Sequence, residues 1–189
     1  INKLIVATNE NDILQRVINT GEYKPEKVKP SISPSMDIQV ASNFERLLFN
    51  IVGEDDKRVS LLMQDLSSKG FFKLSKEEQE TLKKDFCAEK INNKDTLSLI
   101  EETNSKLNFI LDPHTATALG AAKKVNDLSN TVILGTAHPY KFLDTIKIAT
   151  GKEVEKPIQL SQIQDKKEKF DIIENSNSEV KSYILSKIQ

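Results

Sequence analysis

The sequence predicts an α/β fold in which helices outnumber strands and the sheet is partial and largely parallel. Two continuous aliphatic runs, at residues 3–8 and 131–135, are typical of strands that are covered on both faces of a parallel sheet. A polar turn and a helix start follow each run, which is the order found in strand–helix units. We therefore predict that residues 3–8 and 131–135 are parallel strands of one sheet.

The predicted helices are defined by their start and stop signals. Asp112 followed by Pro113 is a strong start, because aspartate caps free N–H groups and proline fits the first helical position. Gly21 and Gly70 are stops, because glycine readily adopts the left-handed conformation that ends a helix. Ser42 with Glu45 and Ser75 with Glu78 have the spacing of capping boxes, which mark helix starts. Helices are predicted at 13–20, 42–53, 55–70, from 75, at 95–104, 112–126 and 139–151, and in a last amphipathic segment containing Val180, Tyr183, Ile184 and Ile188.

The remaining segments predict two short strands, a long loop and a helical insert. Phe86 to Ile91 and Phe170 to Ile173 are the candidate strands. Residues 23–40 carry three prolines and several serines, and a loop of this length in a compact domain is more often functional than idle. Residues 50–105 are largely helical in pattern and carry few distinctive motifs, so we predict a solvated helical insert there.

Composition indicates a globular protein without an electrostatic preference for nucleic acid or membranes. The 27 basic and 28 acidic residues give a net charge of −1, and no apolar run approaches the length of a spanning helix. The single cysteine, Cys87, cannot form an internal disulfide, so we expect a cytoplasmic protein. The chain enters a strand-like run at once and lacks an initiator methionine, from which we expect that it is cut from a longer protein.

Polar residues follow both aliphatic runs, at the positions where parallel sheets bind ligands. Asn9, Asn11 and Asp12 come after the first run, and Thr136 and His138 after the second. Ligands of open parallel sheets bind beyond the carboxyl ends of strands, and helix N-termini favour anions. The sequence therefore predicts an anionic ligand in a crevice at this edge.

A structural alternative explains some of the same residues. Asparagine, threonine and aspartate are ordinary N-cap residues, a role that would account for Asn11, Thr136 and Asp112. The two histidines, His114 and His138, show no metal-ligand spacing, and neither a nucleophile-elbow motif nor a glycine-rich phosphate loop is present. Local pattern alone leaves both interpretations open.

Five segments together resemble the threonine synthase family, of the longer microbial type. They occur in this order: LIVATNEND, SPSMDI, SNFERLLF, DPHTATALGAA and ILGTAHPYKF. The resemblance is dense over residues 3–49 and 108–150 and thin elsewhere. It implies the type II (tryptophan-synthase-β-like) fold of pyridoxal-phosphate enzymes. The family converts O-phosphohomoserine and water into L-threonine and phosphate, and pyridoxal 5′-phosphate (PLP) supplies the electron sink.

The resemblance also implies roles for individual residues. Thr136, in GTAHP, corresponds to the hydroxyl that faces the pyridine nitrogen of the cofactor, and His138 would line the same edge. A hydroxyl, unlike a carboxylate, does not force the ring nitrogen to stay protonated, which moderates the electron sink. The substrate side would be lined by Asn9, Asn11, Asp12, Ser35, Met36, Asp37 and Arg46.

In the family, the Schiff-base lysine and the loop that grips the cofactor phosphate lie upstream of the segment that this chain matches. We therefore expect no catalytic residue in this chain, a missing N-terminal part of the same enzyme as its partner, and no activity of the chain alone. Residues 1–150 would be the C-terminal part of the catalytic domain and residues 151–189 an extension. A related phospholyase and a non-catalytic module that keeps only the fold are the alternatives.

Overall fold

The computed structural model describes residues 1–125, 128–163 and 165–188, and it confirms a helix-rich chain with a small parallel sheet. Helices α1 to α9 occupy Ile13–Thr20, Phe44–Ile51, Asp56–Lys69, Lys76–Asp85, Asn93–Leu107, Pro113–Val125, Leu143–Thr150, Ile158–Ser161 and Asn177–Ile188. Strands β1 to β4 occupy Leu4–Thr8, Glu22–Tyr23, Phe72–Lys73 and Phe86–Lys90. Short 3-10 turns cover Pro34–Met36, Leu128–Asn130 and Pro139–Phe142.

The parallel sheet consists of β1 and β4 in the described part of the chain. Leu4 pairs with Phe86 at one end of the register and Thr8 with Lys90 at the other. Helices α1 and α6 both pack against these strands, which is why β1 is a continuous aliphatic run. The predicted strand at 86–91 is therefore confirmed, and it lies within the segment predicted to be a helical insert. β2 and β3 form a separate antiparallel pair.

The predicted strand at 131–135 is wrong. These residues have no regular secondary structure, and β1 pairs with β4 instead of with them. Val132 is 86% exposed and Leu134 73% exposed, so the aliphatic run is not covered by the described residues. A strand forms only where a neighbour satisfies its backbone hydrogen bonds, and no described strand lies beside this run. The argument that Asn9 and Thr136 lie at the ends of two paired strands therefore fails.

The described residues divide into two compact units, Ile1–Glu155 and Lys156–Gln189. The first contains two apolar clusters. In one of them the rings of Tyr23, Phe44 and Phe72 are stacked, with the Tyr23 ring 5.4 Å from the Phe44 ring and 4.8 Å from the Phe72 ring. The other joins α5, α6 and α7 through the fully buried Ile100, Ala116 and Ile146.

The second unit contains α8 and α9. The predicted C-terminal helix is confirmed as α9, but none of its side chains is buried, so its predicted apolar face is not covered by the described residues. The predicted strand at 170–173 is wrong, because these residues have no regular structure and no described strand pairs with them. Asp171 accepts a hydrogen bond from the Tyr183 hydroxyl and lies 3.3 Å from the Lys187 ammonium. No helix in the described ranges has the length and apolar character needed to cross a bilayer.

Most helix ends lie where the sequence places them. Gly21, Gly70 and Gly151 have φ values of 77°, 80° and 68°, the left-handed conformation that favours glycine. Ser75 and Glu78 form the predicted capping box. The capping box predicted at Ser42 and Glu45 is wrong, because α2 starts after Asn43 and has no side-chain cap. α5 extends beyond the predicted 95–104, because Asn92 caps its start and Asn108, with φ of 50°, ends it.

Candidate functional site

Asn9 and Asn11 fasten the long loop to the end of β1. Asn9 is only 1% exposed, and its Nδ2 donates to Ser31 Oγ at 2.7 Å and to Ser33 Oγ at 3.0 Å. Asn11 exchanges two hydrogen bonds with the backbone of Lys29, both of 2.8 Å. Asn9 Oδ1 accepts the Asn11 backbone N–H at 2.9 Å, so the two amide side chains act as one unit.

Asp37 is the carboxylate of the same network. Its Oδ1 accepts from Asn9 Nδ2 at 2.7 Å, from Asn11 Nδ2 at 3.0 Å and from the Ser31 hydroxyl at 2.6 Å. Its Oδ2 accepts the Ser31 backbone N–H at 3.0 Å. The structure thus brings three of the predicted site residues together, and their hydrogen bonds fix the shape of the loop.

Asp12 forms a second polar cluster next to this network. Its carboxylate accepts from Arg16 Nε at 2.8 Å and from Lys90 Nζ at 2.7 Å. Burial raises the pKa of Asp12, but hydrogen bonds from Lys90 and Arg16 outweigh it and hold the pKa below its ordinary value. Arg16 also donates to the carbonyl of Lys24 at 2.8 Å. Asp12 therefore links β4, α1 and the start of the long loop.

Ser35 and Met36 lie in the 3-10 turn of the loop, and Arg46 lies apart from it in α2. The backbone N–H of Ser35 donates to His114 Nε2 at 3.2 Å. Ser35 is exposed, and Met36 is half-buried. Arg46 is exposed, and its side chain makes neither a hydrogen bond nor an ion pair with another described residue. Its predicted place at the substrate stays a prediction.

The first turn of α6 is organised by Asp112. Its Oδ1 accepts the backbone N–H groups of His114 at 2.9 Å and Thr115 at 3.2 Å, and its Oδ2 accepts the Thr115 hydroxyl. Burial raises the pKa of Asp112, but the approach of the His114 ring, the Thr115 hydroxyl and these N–H groups lowers it further, so that it lies below its ordinary value. Asp112 is thus an ionised N-cap in a buried position.

Thr136 is held by its backbone and keeps its side chain free. Its N–H donates to Thr115 Oγ1 at 3.3 Å, whereas its own hydroxyl is exposed and makes no hydrogen bond with the described residues. His138 is also exposed, and its Nδ1 accepts the backbone N–H of Tyr140 at 3.1 Å. The His138 Nε2 atom has no partner in the described part of the chain. These two free groups are available to a ligand.

Sequence reasoning missed the residues that connect the predicted ones. His114 contacts the loop through Ser35, and Thr115 contacts Thr136, so the first turn of α6 touches both predicted sides of the site. The signal was present in the polar residues that follow Asp112 and Pro113. Local pattern does not indicate that these residues form hydrogen bonds with loops far along the chain.

Comparisons with known proteins identify the origin of this arrangement. A family model described as "Threonine synthase, C-terminal" matches residues 115–184. Threonine synthase from Corynebacterium glutamicum is 36% identical over an alignment of 196 positions, which covers 100% of this chain and 41% of that protein. The chain belongs to the threonine synthase family. The yeast threonine synthase is likewise 36% identical, over 95% of this chain and 40% of that protein.

Solved structures of family members have the same fold. A PLP-bound threonine synthase from Brucella melitensis superposes with a TM-score of 0.84 at 39% identity, over 97% of this chain and 40% of that one. Yeast threonine synthase gives a TM-score of 0.78 at 33% identity, over 98% of this chain and 42% of that one. The chain therefore spans about two-fifths of the length of the threonine synthases that it matches.

Proposed function

We propose that this chain is the C-terminal part of a threonine synthase that converts O-phosphohomoserine and water into L-threonine and phosphate. The observation that carries the proposal is the 36% identity to a threonine synthase along the whole chain. That alignment includes the Thr136 segment, the loop at 31–37 and the start of α6. We place the enzyme in the cytoplasm, since the single cysteine of this chain cannot form a disulfide within the chain.

The residues present fit one side of PLP, the side of the pyridine nitrogen. The Thr136 hydroxyl has no partner among the described residues, and neither has the Nε2 atom of His138, two residues further along the chain. A hydroxyl can donate to or accept from a ring nitrogen, so it holds the ring without fixing its charge. When bound, PLP supplies the electron sink for the reaction. The phosphate of the cofactor finds no glycine-rich cradle in this sequence, which has six glycines in all.

The loop at 31–37 supplies the substrate side. Asn9, Asn11 and Asp37 use their polar atoms on the loop itself, so their contribution is to hold it in one shape. Ser35 and Met36 are the members with side chains not committed to another described residue. Exposed Arg46 has a guanidinium free to form paired hydrogen bonds with a phosphate group. The loop would thus form a rigid wall against a small phosphorylated amino acid.

The proposal is tested with the complete enzyme that contains this chain, supplied with PLP and O-phosphohomoserine. Phosphate and L-threonine are measured in the same samples. Equal amounts of both products are expected. Phosphate released without threonine would favour a related phospholyase, and the absence of both products would favour a module that keeps only the fold.

A further inference from the structure

His114 is a buried polar side chain that the proposed reaction does not yet use. It is 7% exposed, and its ring packs against the ring of Phe142 with centroids 4.9 Å apart. Its Nε2 accepts the Ser35 N–H at 3.2 Å. Its Nδ1 has no hydrogen-bond partner among the described residues, although it lies 3.3 Å from Asp112 Oδ1. The ring is therefore placed between the long loop, the N-cap of α6 and the turn after GTAHP.

These contacts assign the tautomer of His114. A ring nitrogen that accepts a hydrogen bond carries no proton, so the proton of the neutral ring is on Nδ1. That N–H lies beside the Asp112 carboxylate, the one charged group among the described partners of the ring. The other neighbours are the backbone N–H of Ser35 and the apolar ring of Phe142. Asp112 thus favours the tautomer that leaves Nε2 free to accept.

Asp112 also reaches the opposite side of the site. The Thr115 hydroxyl donates to Asp112 Oδ2 and accepts the backbone N–H of Thr136 at 3.3 Å. Two chains of contacts therefore start from one carboxylate. One runs through His114 to Ser35 in the loop, and the other through Thr115 to Thr136.

We propose that Asp112 and His114 are positioning residues that hold the loop at 31–37 and the segment at 135–142 in a fixed position relative to each other. For the reaction, this inference rests on the proposed function, because the two segments are the substrate side and the cofactor side of that site. Neither residue takes part in bond making. Their effect is to keep Ser35 and Thr136 at a fixed separation through the first turn of α6.

The contact between the loop and α6 depends on Nε2 of His114 as the acceptor of the Ser35 N–H. The hydrogen bonds of Asn9 and Asn11 to the loop do not involve His114 and remain when that acceptor is removed.

Two His114 variants separate the acceptor from the packing of the ring. His114→Gln keeps a polar atom near the position of Nε2, and His114→Phe keeps a ring against Phe142 but removes the acceptor. Ala118→Gly is the matched control. Glycine weakens α6, and the side chain of Ala118 makes no hydrogen bond with the loop or with residues 135–142. The measurement is hydrogen exchange of residues 31–37 in this chain, expressed as protection relative to the intrinsic rate.

His114→Phe should lower protection of the loop by about threefold to tenfold, as expected for the loss of one hydrogen bond. His114→Gln and Ala118→Gly should stay close to the parent chain. Unchanged protection in His114→Phe, or an equal loss in Ala118→Gly, would overturn the inference.

The second measurement uses the complete enzyme and distinguishes failure of the inference from failure of the proposed function. His114→Phe should raise KM for O-phosphohomoserine more than it lowers kcat, and His114→Gln should restore the parent value. A parent enzyme that makes no threonine rejects the proposed function and leaves the exchange result standing. An active parent with unchanged kinetics in His114→Phe rejects the positioning role.

Discussion

The backbone N–H of Thr136 donates a hydrogen bond of 3.3 Å to the hydroxyl of Thr115, so the segment with the predicted cofactor contact is tied to the first turn of α6. The tie uses only the main chain of Thr136. Its side chain is left exposed and without a partner among the described residues. A residue fixed through its backbone and free at its hydroxyl can be altered chemically without moving the chain around it.

The first prediction concerns the Thr136 hydroxyl in the complete enzyme. Thr136→Val keeps the shape of the side chain and the backbone hydrogen bond, so the fold should be unchanged. Loss of a hydrogen bond to a buried polar partner costs about 1–3 kcal/mol, and turnover should fall by a corresponding factor of about 5 to 150. The checks are kcat and the absorption spectrum of bound PLP. Thr81→Val, at an exposed position in α4, is the control, and an unaltered Thr136→Val enzyme would remove Thr136 from the site.

The second prediction concerns the hydroxyl of Thr115, which bridges two partners. Thr115→Val has nearly the same volume but leaves the buried Asp112 without one donor and Thr136 N–H without its acceptor. The free energy of unfolding of this chain should fall by about 1–3 kcal/mol, as for unsatisfied buried groups. Urea denaturation measures it, with Thr145→Val in α7 as the control, because that hydroxyl has no described partner. Equal stability of both variants would contradict the bridging role.

The third prediction is a pH dependence that arises from Asp112. Its pKa in the folded chain is below its ordinary value, so its contribution to stability is present above that ordinary value of about 3.9 and is lost as the pH falls through the folded pKa. Asp112→Asn keeps a capping oxygen but cannot titrate. The difference in unfolding free energy between the parent and Asp112→Asn should therefore be largest near neutral pH and shrink in acid. A constant difference across the range would show that Asp112 is not a stabilising carboxylate.

Local signals in the sequence were sufficient for most helices and for the loop. Gly21 and Gly70 end helices because their backbone conformation depends on the residue itself. The strand predicted at 131–135 is wrong because a strand needs a neighbouring strand, and the sequence of the run does not show whether one is present. Its side chains Val132 and Leu134 are among the most exposed apolar groups of the chain. The aliphatic side chains of this run are typical of a buried segment, but no described residues pack over Val132 and Leu134.

The sequence predicted individual polar residues of the site but not the contacts between them. Asn9 follows a predicted strand, whereas Asp37 is implied only by the family resemblance, and their mutual hydrogen bond joins positions 28 residues apart. The sequence gives no role to His114, because its separation from His138 does not suit two ligands of one metal ion. Its partner is a backbone N–H, and backbone donors leave no mark on the sequence. Contacts of side chains with distant main chain are therefore the part that the structure added.

The fourth prediction tests whether Asn11 fastens the loop. Asn11→Ala removes both hydrogen bonds to the Lys29 backbone, so residues 24–30 should detach from the end of β1. Trypsin should then cut faster after Lys27, which is the useful site because Lys24 and Lys29 each precede a proline. Asn19→Ala is the control, since the side chain of Asn19 is exposed and unpaired among the described residues. Equal cleavage rates in the two variants would show that the loop is held by other contacts.

The last prediction concerns the chain by itself, which should neither bind PLP at a single lysine nor make threonine. Covalent attachment requires an amine that can lose its proton, which proteins achieve by taking the lysine out of water. Every lysine in the described residues is exposed except Lys156, which is half-buried. Lys141, the nearest in sequence to Thr136, is exposed as well, so its ammonium stays hydrated.

The phosphate of the cofactor would also lack a cradle of backbone N–H groups, and a helix end contributes only about 1 kcal/mol toward holding an anion. Scattered, substoichiometric labelling of exposed lysines is therefore the expected result. The experiment is incubation of the purified chain with one equivalent of PLP, reduction with borohydride and mapping of the labelled peptides, alongside an assay of phosphate release from O-phosphohomoserine. Stoichiometric labelling of one lysine together with phosphate release would show that this chain contains a complete active site.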